Sequence, residues 1–476
     1  MVEGGRAVGV TQATAAGPYL DTAAQRAEKS TGPLVGFIAA LIGTAAVVVL
    51  FPDRPSPRGA LVVPAFVLSV SIVVVPIMRA LTGAATRMNA ENFVALGFVY
   101  WLLLDLIQGA YDLSDASDQA LRLAIIAIGL SAAAMWLGVA ARQWRLPRGL
   151  LALSNTSLDS ATTWKLIPIC FALGMLNYAY AVDFDIREMF SYLGRNRWEV
   201  PWARGQLGGW NSFIDQLPYF GYVLPSLTAV LLVRRGFSVQ TLLAIAMSIV
   251  MLLFLAQGGG RRIIGVTCGA ALIVWVQLQP TLNVRKVATV GAAVIALLWL
   301  MQFMLNIRGV GYEEFARRGQ SDYDYLHVDD NFLRLAQVIQ IVPAERDYVY
   351  AKQLIFAAVR PVPRVLWPNK PVDPGFDLPA EVGMRGVSLS TSIIGEWYLS
   401  FGWVGVMLGG WLHGRLAGAA NGLREAGSQV NPIVFALAVM VLVSGMRSMQ
   451  DLVIMSYALV AWWAVNRVIA RRASHA

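Results

Sequence analysis

The sequence predicts an all-α polytopic membrane protein with about twelve transmembrane helices and a large, partly helical periplasmic loop between the ninth and tenth. Three observations predict it: a composition too apolar for a soluble domain, apolar runs long enough to cross a bilayer, and an uneven distribution of arginine between the segments that join them. Of 476 residues, 57% are hydrophobic and 14% charged, whereas a soluble domain carries about 25% charged residues. The mean hydropathy is +0.57.

A helix needs about 20 apolar residues to cross the hydrocarbon, with a range of about 17–25. Twelve candidate cores meet or approach this: 34–51, 61–78, 93–111, 123–141, 166–182, 217–233, 239–256, 263–278, 287–305, 393–412, 432–446 and 452–466. The last two are short, so eleven or thirteen spans also fit. Residues 1–32 are polar and rich in Ala and Gly, which predicts a disordered cytoplasmic tail. The first apolar run is too long for a signal h-region and lacks a small-residue cleavage site after it. Helices 1–9 then occupy 33–305, with an outer loop at 183–216. A long loop fills 306–392, helices 10–12 fill 393–470, and 471–476 form a second cytoplasmic tail.

Orientation follows from Lys and Arg in the short loops. With the N-terminus inside, the cytoplasmic segments hold 18 basic residues and the short outer segments hold 10. Both termini are therefore expected in the cytoplasm, in a bacterial inner membrane. The long loop does not vote in this rule. It has helical patterning at Asn331–Val342, where Phe332, Leu335, Val338 and Ile339 recur at helical spacing, and again at Tyr350–Val359. Long loops are usually functional, so this one is expected to form a small folded cap. Paired halves, common in transporters, are not visible.

The net charge of +9 would suggest nucleic acid in a soluble protein. Here it reads as loop anchoring, and no nucleic-acid partner is expected, because no basic cluster is interleaved with exposed aromatics. Cys170 and Cys268 fall inside apolar runs and read as core. With three histidines, His327, His413 and His475, they make no zinc site or disulfide framework.

The chemistry is expected in the outer segments. Arg187, Arg195, Arg197 and Arg204 lie in 183–216. Arg261 and Arg262 follow the three glycines at 258–260, and Arg360 and Arg364 lie in the long loop. Charge here opposes the positive-inside preference, so another demand must retain it. Arginine suits phosphate through planar, bidentate hydrogen bonding, and glycines let backbone N–H groups approach an anion. A plainer reading is that single arginines snorkel or pair with loop carboxylates. Glu396 lies near the outer start of the tenth span, where an ionisable residue is costly; Asp105 is similar. His327, flanked by carboxylates, suits a general base, or is a simple surface histidine. Asp183 and Asp185 could ligate a metal, although Asp-x-Asp is a common accident.

The order of these parts resembles the Wzy-type O-antigen and oligosaccharide repeat-unit polymerases. The resemblance rests on Pro363, Arg364, Leu366, Trp367, Pro368, Lys370 and Pro371, then Ser392, Gly395, Glu396, Tyr398, Phe401, Gly402 and Gly405. It covers about 325–405 in sequence, and the remainder only in topology. The family's Arg-ten residues-Gly spacing fits Arg197 with Gly208 and Arg364 with Gly375, one pair in each long outer loop. The resemblance implies a metal-independent glycosyltransferase with no cofactor. It would move a glycan from undecaprenyl pyrophosphate to a lipid-linked repeat unit on the periplasmic face. Arg197, Arg261, Arg262 and Arg364 would receive the pyrophosphate, with Glu396 or His327 as base; Arg204, Arg360, Lys370 and Tyr398 would also bind substrate, and Trp367 could stack on a sugar. Trp198, Trp202, Trp210 and Trp397 could also stack on sugars or simply belong to the interfacial belt. Implied partners are lipid-linked donor and acceptor, membrane lipids and a chain-length regulator. Competing readings are an O-antigen ligase, with the same donor and another acceptor, and a transporter of lipid-linked sugar. A metal-dependent polyprenyl-phosphate glycosyltransferase fits less well, since the first outer loop offers only Asp53.

Overall fold

The computed structural model describes residues 23–82, 88–142, 144, 158–195, 199–202, 209–257, 260–279, 281, 283–308, 325–371, 373–384, 389–425 and 432–473. Among them 76% are helical and none lies in a strand. The helices are α1 (Ala23–Leu50), α2 (Val62–Thr82), α3 (Ala90–Ile107), α4 (Asp118–Ala140), α5 (Ser160–Tyr180), α6 (Leu224–Arg235), α7 (Val239–Gln257), α8 (Arg261–Gln277), α9 (Val284–Arg308), α10 (Asn331–Ile341), α11 (Lys352–Val359), α12 (Ser392–Glu425), α13 (Pro432–Gly445) and α14 (Met449–Ala473). Each of the twelve apolar cores carries a helix. Among the described residues, seven helical stretches are long and apolar enough to cross a membrane: Thr31–Leu50, Val62–Thr82, Ala90–Ile107, Asp118–Ala140, Ser212–Arg235, Val239–Gln257 and Val284–Asn306.

α1 starts at Ala23, inside the stretch expected to be a disordered tail; residues 1–22 lie outside the described ones. The early start has a local cause. Residues 23–29 are mostly Ala, Gln, Arg, Glu and Lys, all good helix formers, so the apolar helix extends backwards into them.

The tightest helix pair is α4 against α12. A Cβ on Gly410 would collide with the Ser131 carbonyl, and one on Gly414 with the Met135 carbonyl. Small residues four apart let two backbones approach closely, the usual device of helix pairs in lipid. α12 is broken near its start: Phe401 (φ −144°, ψ 20°) and Gly402 (φ 60°, ψ −142°) leave helical geometry. A positive φ is strained for side-chain-bearing residues, and a Cβ at Gly402 would press on the Tyr348 ring.

α10 falls in the segment expected to form a small folded cap. It is buried from Asn331 to Ile339 and packs on α4 and α12. Several of its polar groups go in with partners. The Arg334 guanidinium donates to Asp330 (3.1 Å) and Gln337 (2.9 Å). α3 contains a π-helical turn at Val99–Leu103, and Asn331 Nδ2 donates to the Trp101 carbonyl within it (3.1 Å).

The loops 51–61, 108–117 and 446–448 meet the described part of the long loop at one end of the bundle. Gln108 exchanges hydrogen bonds with the Leu326 backbone (3.0 and 3.1 Å), and the Ser117 N–H donates to Gln340 (2.8 Å). At the opposite end, Arg79 and Glu91 form a buried ion pair at 2.8 Å, extended by Asn92 and Asn421.

Candidate functional site

The site is built where α12 begins beside the α13–α14 turn. Ser392 starts α12, its hydroxyl accepting from the Gly395 N–H at 3.2 Å, as N-terminal serines do. One turn later Glu396 reaches the start of α14, where its Oε2 accepts from the Met449 N–H. A carboxylate is favoured there, because the first N–H groups of a helix are otherwise unpaired and carry partial positive charge. Oε1 accepts no hydrogen bond among the described residues.

Glu396 lines a cavity of about 260 Å³ together with Arg447, Ser390, Gln353, Phe376 and Gln450. The Arg447 guanidinium donates to Asp329 and, at 3.0 Å, to Asp451. Asp451 also pairs with Arg262 at 2.8 Å. A chain of alternating charge therefore runs from α8 through the α13–α14 turn to the long loop. Burial works against the Asp329 charge, but Arg447 and Arg261 prevail and hold its carboxyl below the usual range.

One cation, Arg360, stands beside the cavity, and Lys370 and Arg364 lie near it in the same segment. Arg360, next to the lining residue Phe356 (guanidinium 5.9 Å from the ring), also donates to the Gln450 amide oxygen (3.2 and 3.3 Å) when that amide is turned to satisfy both groups. Lys370 donates to the Val362 carbonyl at 2.7 Å. Partial burial and the charges of Arg360 and Arg364 hold its amine below the usual lysine value. Arg364 and Trp367 are exposed.

The structure thus places Arg360 against the Glu396 cavity through Phe356 and Gln450, with Lys370 within electrostatic reach of both Arg360 and Arg364, and Trp367 on the same segment. The other predicted residues have different surroundings. Arg261 is buried, 9% exposed, and donates to the His327 (2.8 Å) and Val328 carbonyls. Arg262 is engaged by Asp451. Both fasten the loop end of the bundle. His327 is not in the cavity wall; it stands beside Asp105 and Asp330. Tyr398 is 4% exposed, and its hydroxyl donates to the Val342 carbonyl at 3.2 Å. Trp397 is buried in α12, and Trp202 is buried against Tyr178, Tyr192 and Phe254. Asp185 caps the short helix Ile186–Ser191, accepting from the Arg187 and Glu188 N–H groups. Arg197, Arg204 and Trp198, the Trp210 side chain, and Gly258 and Gly259 lie outside the described residues.

Arg447, Asp329 and Asp451 were not singled out from sequence. Each is a common residue type in a short polar stretch, and only the fold joins them across 118 residues of chain. Among the described residues the geometry defines an all-helical protein, with apolar helices long enough to cross a membrane and a cavity lined by Glu396 and Arg447 at one end of its bundle. No protein-family model, curated protein or solved structure matches the chain.

Proposed function

We propose that this protein polymerises lipid-linked oligosaccharide repeat units in a bacterial inner membrane. In this reading twelve spans keep both termini in the cytoplasm and the 306–392 loop in the periplasm. The observation that supports the reading is Glu396 and Arg447 in one cavity wall, with Arg360 against two of its lining residues and Lys370 and Arg364 following from Arg360. A carboxylate and a cluster of cations are the two needs of transfer from a lipid pyrophosphate. Glu396 Oε1 accepts the proton of the acceptor hydroxyl. The freed oxygen attacks the anomeric carbon of the donor glycan, and the bond from that carbon to the pyrophosphate oxygen breaks. The leaving lipid pyrophosphate takes both bonding electrons and departs as an anion, stabilised by fixed cations as its charge develops. Trp367 offers an exposed ring to a sugar face. Donor and acceptor are both lipid-linked glycans, and a chain-length regulator is a fitting partner at the loop end.

The test is complementation of a deletion strain with Glu396→Gln or Arg364→Ala, at equal protein level. Loss of one such group from an active site costs about 10²–10³ in rate. Each variant is therefore expected to make little polymer while single repeat units accumulate on the lipid. Long chains at normal abundance from either variant overturn the site. Full-length polymer left on its lipid carrier in the deletion strain favours the ligase reading instead. Labelling that finds residues 325–371 accessible only from the cytoplasm removes the proposal altogether.

A further inference from the structure

We propose that Asp105, His327 and Asp330 hold a divalent transition-metal ion that fastens the long loop to the end of α3. The proposal is independent of the polymerase reading and departs from the expectation of a metal-free chain. One imidazole nitrogen and two carboxylate oxygens come within 4.8 Å of one another here. Asp105 arrives from the bundle; His327 and Asp330 arrive from the loop just before α10.

The second observation is an orphaned atom. Asp105 is 5% exposed. Its Oδ1 accepts from the Val328 N–H at 3.2 Å, but its Oδ2 is buried and accepts from nothing among the described residues. An unpaired ionised carboxylate in such a place is expensive unless it is paired or coordinates a metal. The neighbouring charges are already engaged. Arg334 serves Asp330, Arg447 serves Asp329, and Arg261 serves the two loop carbonyls. Among the described residues no ion pair reaches Asp105, and the buried Tyr111 hydroxyl, within electrostatic reach of Asp105 and Asp330, has no hydrogen-bond partner. So several polar atoms converge with no cation to answer Asp105.

The local backbone is specialised at the same spot. The π-helical turn Val99–Leu103 ends two residues before Asp105, and such turns are common at functional sites. Asn331, next to Asp330, holds that turn through the Trp101 carbonyl. The donor set suits zinc or manganese better than magnesium, which prefers oxygen ligands and retains its waters. Ligand atoms around tetrahedral zinc lie about 3.4 Å apart for bonds of about 2.1 Å. Separations of up to 4.8 Å therefore close by at most about 1.4 Å through side-chain rotation. Only protein side chains and an ion are needed, and no bond is made or broken.

The test uses the full chain, purified without a histidine tag, stripped with EDTA and desalted. Bound metal is measured after equilibration with ZnCl2, MnCl2 or MgCl2, alongside thermal unfolding. Wild-type protein is expected to retain a single zinc or manganese ion and to unfold at higher temperature with it, and to do neither with magnesium. Asp105→Asn should bind at least about tenfold more weakly, since even outer-shell changes cost 10–100-fold, and should lose the metal-dependent rise in unfolding temperature. His327→Ala, a less buried change, should do the same and carries the test if Asp105→Asn fails to fold. Stripped wild-type protein that neither binds zinc or manganese nor unfolds differently with them overturns the proposal. So does a folded Asp105→Asn or His327→Ala protein that binds as tightly as wild type. In the first case a proton shared by the carboxyls is the remaining answer for Asp105.

Discussion

Arg447 joins three elements, and replacing it with alanine should free the long loop before it unfolds the bundle. The guanidinium pairs with Asp329 in the loop and Asp451 at the start of α14, whose side chains are 25% and 3% exposed. Breaking a buried pair by removing one partner costs about 3–5 kcal/mol, since the other charge stays behind. The lower end applies here. Asp329 is partly solvated and keeps the attraction of Arg261, and Asp451 keeps Arg262. A loss of about 3 kcal/mol corresponds to roughly a hundredfold increase in the open population, at tenfold per 1.4 kcal/mol. Hydrogen exchange read by mass spectrometry tests this. Peptides covering 326–342 should exchange about a hundredfold faster in Arg447→Ala, while peptides from α4 stay unchanged. Asp329→Asn alone should have a smaller effect, and the double variant should recover about 1–3 kcal/mol of coupling relative to the sum of the singles. Strictly additive effects, or exchange equal to wild type, would refute the view that this guanidinium holds the loop down.

Acid should open the same loop. The folded Asp329 carboxyl lies below its usual value, so its stabilisation is fully present above the unfolded pKa of about 3.9 and is lost as pH falls through the lower folded value. Exchange of 326–342 should therefore rise below about pH 4 in wild type, and Asp329→Asn should flatten that rise. Gly414→Val should force α12 away from α4, because the new side chain meets the Met135 carbonyl. Overpacking of this kind costs about 1–3 kcal/mol or more, and it should appear as aggregated protein on gel filtration; a monodisperse, active variant would contradict the close approach. Arg261→Ala should lower loop stability more than it lowers substrate affinity, in contrast to Arg364→Ala. A normal melting curve for Arg261→Ala would contradict its role as a clamp on the His327 and Val328 carbonyls.

The helices were legible because an apolar run is a local signal: a window of 18 residues contains all that is needed to recognise Val62–Thr82 or Val239–Gln257. α11 was legible for the same reason. The depth of α10 was not. Its apolar spacing announced a helix, but its burial depends on packing against α4 and α12, with Leu335 beside Gly395, 60 residues later in the chain. The arginines show the limit most clearly. Arg261, Arg262 and Arg364 look alike in sequence, each a cation at the presumed outer boundary. The first is taken by carbonyls 66 and 67 residues away, the second by a carboxylate 189 residues away, and only the third stands exposed beside Lys370. Pairing at such separations leaves no local trace. Glu396 was found because a carboxylate at the start of an apolar run is conspicuous, though its service to the α14 N-terminus was hidden.

The break at Phe401–Gly402 divides α12 into a short section that carries Glu396 and a long one locked against α4. The short section is moored to the loop through Tyr398 and to α14 through Glu396 itself. Bilayers differ in thickness, and helices answer by tilting. A change of inclination in the long section would be taken up at this joint, where the backbone leaves helical geometry, before it reached the carboxylate. The cavity would then keep its dimensions as the scaffold beneath it followed the surrounding lipid.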